Sequence, residues 1–224
     1  MPENNGQVSP KKRNGFWRSL AGGLLAFAVA YYAVKGLRQD WTNKNAAERG
    51  VSEAYQKIHE KAAQEHPDKP VSEALGEAAS SLSQADLSSK TGAAKAANAA
   101  GQFLGYYLVN VRTRAEYCRN LGVDISPFVA AFRNHNAGLY AKTREIHSRE
   151  TTISPDDLEE TLYSAMKPTI ERLLQDATAA VATENGITTT EVCEAFATEP
   201  ALMVKELDLA KTNPTLRHAL LEAQ

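Results

Sequence analysis

The chain contains two cysteines, Cys118 and Cys193, and their chemistry is the most constrained in the sequence. Each lies among apolar residues at helical spacing, and neither has a second cysteine close to it along the chain. A bond between them would close a loop of about 75 residues, which the chain-entropy model values at on the order of 4 kcal/mol. We therefore predict a Cys118–Cys193 disulfide. The alternative is a pair of buried free thiols in a cytoplasmic domain.

Catalysis by Cys118 would require a general base, and His135 is the candidate because it follows Cys118 on an apolar helical face. No nucleophile elbow or glycine-rich approach surrounds Cys118. His59 and His66 do not have the spacing of a zinc motif on a helix. We predict no catalytic residue, no metal site and no cofactor. An extracytoplasmic enzyme that uses Cys118 or a His-centred site is the alternative function.

A group of basic side chains follows Ser126-Pro127, a pair that is typical of a helix start. On one continuous helix these side chains would form a basic face. Such a face could contact an acidic partner, lipid headgroups or an anionic envelope polymer, and the alternative is an ordinary solvated face. The candidate binding residues are Arg133, His135, Lys142, Arg144 and Arg149.

The N-terminus has the charge pattern of a membrane-directed segment. An almost uncharged run from Ser19 to Val34 lies between basic flanks. The run alone would cover about 24 Å of a hydrocarbon core of roughly 30 Å. Trp17 and Trp41 would lie about 36 Å apart on a continuous helix, so that one indole could reach each headgroup belt. We predict a single-pass transmembrane signal anchor over residues 16–41.

Signal cleavage is the main alternative to a retained anchor. Ala28-Val29-Ala30 is a small-x-small site, and cleavage after Ala30 would release a periplasmic or secreted protein that begins at Tyr31. An interfacial helix fits less well, because the run is apolar on every face. Gly22, Ala26 and Ala30 recur every fourth residue and could pack a second helix in a homo-oligomer, although an alanine-rich anchor alone would also produce this pattern.

The orientation of the anchor depends on more than the number of charges. Lys and Arg are equally frequent near its two ends, so the positive-inside rule alone gives nearly a tie. A short tail with several positive charges is harder to export against a membrane potential than a long region that follows the anchor. We therefore predict a bacterial inner-membrane protein with a cytoplasmic N-terminus and a periplasmic C-terminal domain.

Helical spacing without strand alternation predicts an all-α fold. The predicted regions are a disordered cytoplasmic tail (1–15), the anchor (16–41), an exposed Ala/Ser-rich helical stalk or linker (42–92), and a compact extracytoplasmic domain of about six helices (93–224). The stalk has too few large apolar residues to fold alone, so it must lean on the anchor, the C-terminal domain or a partner.

Local sequence signals mark the helix ends of the C-terminal domain. Glycines that follow apolar helical stripes are typical of helix stops. A proline at the first helical position is typical of a helix start, and so is a Ser or Thr three residues before a Glu. The predicted stops are Gly122 and Asn185-Gly186, and the predicted starts are Ser126-Pro127, Ser154-Pro155, Thr188 with Glu191, Glu199-Pro200 and Asn213-Pro214.

The overall composition excludes a strongly charged protein. The formal net charge is −2, which gives no support for nucleic acid as a partner. In topology alone, the layout resembles small bitopic envelope proteins of Gram-negative bacteria, which have a short cytoplasmic tail, one anchor and a helical periplasmic domain. The resemblance involves no motif and assigns no functional residue. We expect an interaction or structural module whose partners are the lipid bilayer and another envelope protein.

Overall fold

The structure is a computed structural model that describes residues 44–223, with side chains described at residue 49 and from 52 to 223. These residues form an all-α fold, as predicted, and contain no strand. The predicted tail and anchor, with Gly22, Ala26 and Ala30, lie outside the described residues. Within 44–223, no helix is both long enough and apolar enough to cross a membrane.

The helices follow one another with short connections, and a π-helical turn, Val109–Thr113, leads from the third helix into the fourth without a break. In chain order they are α1 (Lys44–Glu65), α2 (Val71–Ser88), α3 (Gly92–Leu108), α4 (Arg114–Asn120), α5 (Ser126–His135), α6 (Ala137–Glu150), α7 (Pro155–Asn185), α8 (Thr189–Thr198), α9 (Pro200–Glu206), α10 (Leu209–Thr212) and α11 (Pro214–Leu221).

The helix ends agree with the local sequence signals. At the start of α7, the Ser154 hydroxyl accepts a hydrogen bond from the Asp157 backbone N–H at 3.1 Å. At the start of α8, Glu191 N–H donates to the Thr188 hydroxyl at 3.1 Å, and Thr188 N–H donates to the Glu191 carboxylate at 2.7 Å. Gly186 ends α7 at φ +64°, a conformation that favours glycine. Short-range chemistry therefore sets these boundaries.

Helix α3 lies at the centre of the fold. Every residue from Ala97 to Leu108 is buried, with α6 and α11 among the helices packed on it. Alanine and glycine in its first half let neighbouring backbones approach closely. Its second half adds large rings to the core: the Tyr106 and Phe132 ring centroids lie 5.4 Å apart. Burying side chains of this size stabilises the fold by roughly 1.5–3 kcal/mol each.

The exposed stalk predicted over 42–92 differs from the structure of its described residues. Helices α1 and α2 pack against each other, and α1 also packs along α7. Ile58, Ala78 and Leu87 are fully buried in the same core as the C-terminal helices. Small side chains bury little area each, but they allow close helix contacts along a whole face. The sequence left open whether this segment packs on the anchor, the C-terminal domain or a partner. In the structure, α1 and α2 pack on the C-terminal helices.

A buried network of polar side chains ties α2 and α3 to the start of α11. The Ser83 hydroxyl donates to Gln102 Oε1 at 2.5 Å and accepts from Asn213 Nδ2 at 2.9 Å. Gln102 Nε2 donates to Asn98 Oδ1 at 2.7 Å, and Asn98 donates in turn to the Asp86 carboxylate. Because buried polar groups are costly when they lack partners, this network favours one arrangement of the three helices.

The single helix predicted to carry the basic face is in fact two helices, α5 and α6, which are separated at Asn136. This residue is 2% exposed and has φ −98° and ψ 8°, outside the helical region. Its side-chain Nδ2 donates to the Phe132 carbonyl oxygen at 3.0 Å. An asparagine side chain that bonds the backbone locally competes with the helix ladder, which explains the break. Breaks of this kind also give residues 93–223 more helices than the predicted six.

Candidate functional site

The two cysteines meet between α4 and α8. Their sulfur atoms are 2.07 Å apart and their Cα atoms 5.5 Å apart, so the predicted pair lies at disulfide distance. Both residues are 1% exposed. The bond links positions 75 residues apart in the chain. While it is intact, Cys118 has no thiolate, and the nucleophile that the alternative enzyme would use is absent.

Arg114 lies one helical turn before Cys118 and carries a buried charge. The residue is 5% exposed, and its guanidinium carbon lies 4.4 Å from the centre of the Phe196 ring. Its Nε donates to Asn110 Oδ1 at 3.3 Å. Burial lowers the pKa of the Arg114 guanidinium to about 10. Among residues 49–223, no carboxylate forms an ion pair with Arg114, so its partners are an amide oxygen and an aromatic face.

The π-helical turn and the spacing of four residues bring this cluster together. Asn110, Arg114 and Cys118 follow one another at intervals of four, while Cys193 and Phe196 are three residues apart on α8. Side chains at such spacings lie on one face of a helix. Helices α4 and α8 are therefore joined by two neighbouring contacts: the guanidinium on the aromatic ring, and the disulfide.

Sequence reasoning missed Arg114 and Asn110. The available signal was their interval of four residues leading to Cys118, because this interval places polar groups beside a core cysteine. An arginine is rarely buried without an acidic partner, and sequence alone therefore assigns it to the surface. The structure places it inside because the Phe196 ring, on a distant part of the chain, covers it.

The candidate base His135 is exposed and does not lie on the apolar face that the sequence suggested, while its role in the binding face stays a prediction. Its side chain is 41% exposed, and its Nε2 lies 3.5 Å from the Asp208 carboxylate. Asp208 in turn accepts a hydrogen bond from the Ala210 backbone N–H at 2.9 Å and so caps α10. The break at Asn136 gives α5 and α6 separate faces, and His147 of α6 is the buried histidine.

The predicted basic face is largely neutralised by neighbouring acids. Arg144 lies 2.6 Å from Asp156 and 3.2 Å from Glu159, across the α6–α7 connection. Lys142 lies 3.3 Å from Glu145, which also pairs with Arg149. A partner would therefore have to compete with these ion pairs or recognise a surface that carries both positive and negative charges. Recognition at this face stays a prediction.

Arg133 is the member of the predicted basic face with an aromatic neighbour. It is exposed near the end of α5, and its side chain interacts with the Tyr107 hydroxyl. Tyr107 stacks on Tyr140 of α6, with ring centroids 4.4 Å apart. Tyr107 of α3 therefore contacts Arg133 of α5 and Tyr140 of α6, the helices on either side of the break at Asn136.

A cavity of about 450 Å³ lies at the start of α3, between the first turn of that helix and the end of α11. Four of its nine lining residues are alanines, and its charged residues are Lys90, Lys95 and Glu222. Lys90 also forms an ion pair with Asp86. Within the described part of the chain, no group of three His, Cys, Asp or Glu side chains is arranged to hold a metal ion.

Comparison of the chain with protein-family models, with curated proteins and with solved structures finds no match. Any function has to be argued from the geometry of this molecule and from the pattern of its N-terminal segment.

Proposed function

We propose that the protein is a membrane-anchored helical module of the bacterial envelope, whose compact domain lies outside the cytoplasm and contacts another envelope component. The anchor would be the predicted segment 16–41, in contact with the lipid bilayer. In this proposal the protein is structural or an interaction partner, without a catalytic residue or cofactor of its own. It has no role in binding nucleic acid, and it could also associate with a second copy through its anchor.

The observation that carries the proposal is the pairing of Cys118 with Cys193 at disulfide distance. Disulfides between buried cysteines persist in oxidising compartments such as the periplasm and are rare in the cytosol. The sequence pattern supports the same side of the membrane, since a short basic tail stays in the cytoplasm more readily than the region after the anchor.

The packing of α1 changes what such an anchored protein would look like. Helix α1 begins at Lys44, three residues after the end of the predicted anchor, and is itself packed on α2 and α7. With no exposed stalk between them, the domain would be held close to the bilayer. Its reach toward a partner would therefore be short, and the partner is expected at or near the membrane surface.

The described surface favours a polar contact with that partner. Among the described residues, the large hydrophobic side chains that are well exposed are Val71 and Leu221, at 58% and 53%. These residues do not make an extended apolar patch of the size that marks many stable interfaces. The mixed-charge surface around Arg144 and Arg149 is the best remaining candidate for contact.

The test of the proposal combines location and thiol state in intact cells. Membranes are washed with carbonate, and spheroplasts are treated with protease before and after lysis. Thiols are trapped with acid and then alkylated with a maleimide that adds mass. We expect retention in the carbonate pellet, digestion of the domain in intact spheroplasts, and no alkylation without reductant. Two reduced thiols together with full protection from protease would refute the proposal.

The same experiment separates the alternatives. A soluble form that begins at Tyr31 would replace the anchored protein with a cleaved one. For the partner, a photo-reactive residue is introduced at the exposed position Arg149, and at the exposed position Glu194 on α8 as a matched control. A cross-linked protein specific to Arg149 would support contact at the mixed-charge surface, while equal products at both positions would argue against it.

A further inference from the structure

Among the described residues, the buried guanidinium of Arg114 has no negatively charged partner while the disulfide is intact. Its contacts within residues 49–223 are the Phe196 ring at 4.4 Å and the Asn110 amide oxygen at 3.3 Å. Both are uncharged. Burying an ion is unfavourable unless an opposite charge and hydrogen bonds compensate it, and an aromatic ring beside a guanidinium offsets only part of that cost. The arrangement therefore leaves a positive charge that a nearby anion would stabilise.

Cys118, one turn further along the same helical face, is a group that can become an anion. Arg114 and Cys118 are one turn apart on α4, a spacing that brings Cβ atoms within about 6 Å. Both side chains point to α8, since one contacts Phe196 and the other bonds Cys193. In the disulfide the Cys118 sulfur is neutral, whereas in the reduced protein it can be a thiolate.

We propose that Arg114 makes the Cys118–Cys193 disulfide a redox-responsive link, because reduction supplies the buried guanidinium with the Cys118 thiolate as its missing counter-anion. The reductant is a dithiol. It is oxidised to its own disulfide and transfers two electrons, which cleave the Cys118–Cys193 bond. Of its two protons, one passes to the Cys193 sulfur and the other to solvent. This proposal goes beyond the anchored module and does not depend on its location.

Other charged groups near Cys118 are weaker influences on its sulfur. Glu116 and Arg119 lie on the same helix, but Glu116 pairs with Lys167 of α7 and Arg119 is exposed to water. Tyr106 is buried near Arg114, and burial keeps it neutral by raising the pKa of its hydroxyl. Burial by itself raises the pKa of a thiol and disfavours the thiolate. The proposal therefore requires the positive charge of Arg114 to lower the pKa of Cys118 by more than burial raises it.

The test measures the redox equilibrium of the full-length chain. The protein is brought to equilibrium in buffers with set ratios of reduced to oxidised dithiothreitol, quenched with acid and alkylated with a maleimide that adds mass. Three variants are compared with wild type: Arg114→Gln, Arg114→Lys, which keeps the charge, and Arg119→Gln, which removes an exposed charge beside Cys118. Helix content of every sample is followed by circular dichroism.

We expect Arg114→Gln to make the disulfide about tenfold harder to reduce, which corresponds to about 30 mV for a two-electron couple. Arg114→Lys should recover most of this shift, and Arg119→Gln should change the equilibrium less than twofold. Equal equilibria in wild type and Arg114→Gln, or equal effects of Arg114→Gln and Arg119→Gln, would overturn the proposal.

A second measurement needs no variant, so it remains decisive if Arg114→Gln does not fold. The thiolate absorbance at 240 nm of the reduced wild-type protein is followed against pH. We expect one thiol to ionise well below the ordinary pKa of about 8.5 for a free cysteine. Titration of both thiols at or above that value, including titration caused by unfolding on reduction, would overturn the proposal.

Discussion

Removing either cysteine should destabilise the domain by nearly as much as removing both. The disulfide joins residues 75 apart, and the chain-entropy relation gives about 4.5 kcal/mol for a loop of this length at 25 °C. Each alanine substitution also deletes a buried sulfur, for which we add about 1 kcal/mol. The free energy of unfolding of small domains is about 5–15 kcal/mol, so the loss would be a large part of the total.

The assay is a urea titration of the full-length chain in mild detergent, followed by circular dichroism, for wild type, Cys118→Ala, Cys193→Ala and the double variant. We expect each single variant to lose about 5–6 kcal/mol and the double variant at most about 1 kcal/mol more, since the shared bond is lost only once. Wild type after reduction serves as the control and should resemble the single variants. Additive losses, or single losses below about 1 kcal/mol, would refute a stabilising disulfide.

Three further predictions concern the break between α5 and α6, the polar network and the tyrosines. Asn136→Ala should cost about 1–2 kcal/mol by urea titration, because it removes a buried donor; an unchanged midpoint would contradict this. Asn213→Ala removes a buried hydrogen bond and the cap of α11 and should cost about 2–3 kcal/mol, against about 1 kcal/mol for the more exposed cap variant Asp208→Ala; equal losses would argue against the network. Burial, together with a hydrogen bond to a neighbouring carboxylate, raises the pKa of Tyr140 to about 12. The unfolded chain therefore binds fewer protons above about pH 10, and stability should fall as the pH rises past that point; tyrosinate absorbance at 295 nm that rises at pH 10 without any loss of stability would contradict this.

Local chemistry made several parts of the fold predictable. The capping box of Thr188 and Glu191, and the stop at Gly186, depend on residues within one turn of each other. The pairing of Cys118 with Cys193 was predictable for a different reason, because a chain with two cysteines allows only one internal disulfide. In each case the sequence contains all the information that the feature needs.

Features that depend on distant residues were not predictable in the same way. The packing of α1 and α2 onto the C-terminal helices relies on small residues such as Ala78, whose individual patterns are weak. The break at Asn136 depends on a side chain that bonds the backbone when buried, and the same residue in solvent would be tolerated within a helix. Arg114 was missed because its burial depends on a tertiary contact, the Phe196 ring that covers its guanidinium.

The hydrogen bond between Ser83 and Asn213 has a consequence for how the chain is made. It joins residues 130 positions apart, and it links the first described hairpin to the last helix. Contacts of such long range slow folding, since the entropy of closing the long loop must be overcome before the contact stabilises the fold. The ribosome adds roughly 5–20 residues each second, so the helical hairpin waits several seconds for its partner to be synthesised. A growing chain that lacks Asn213 therefore cannot complete the buried hydrogen bond to Ser83, and the core around that network closes only after the last helix has been made.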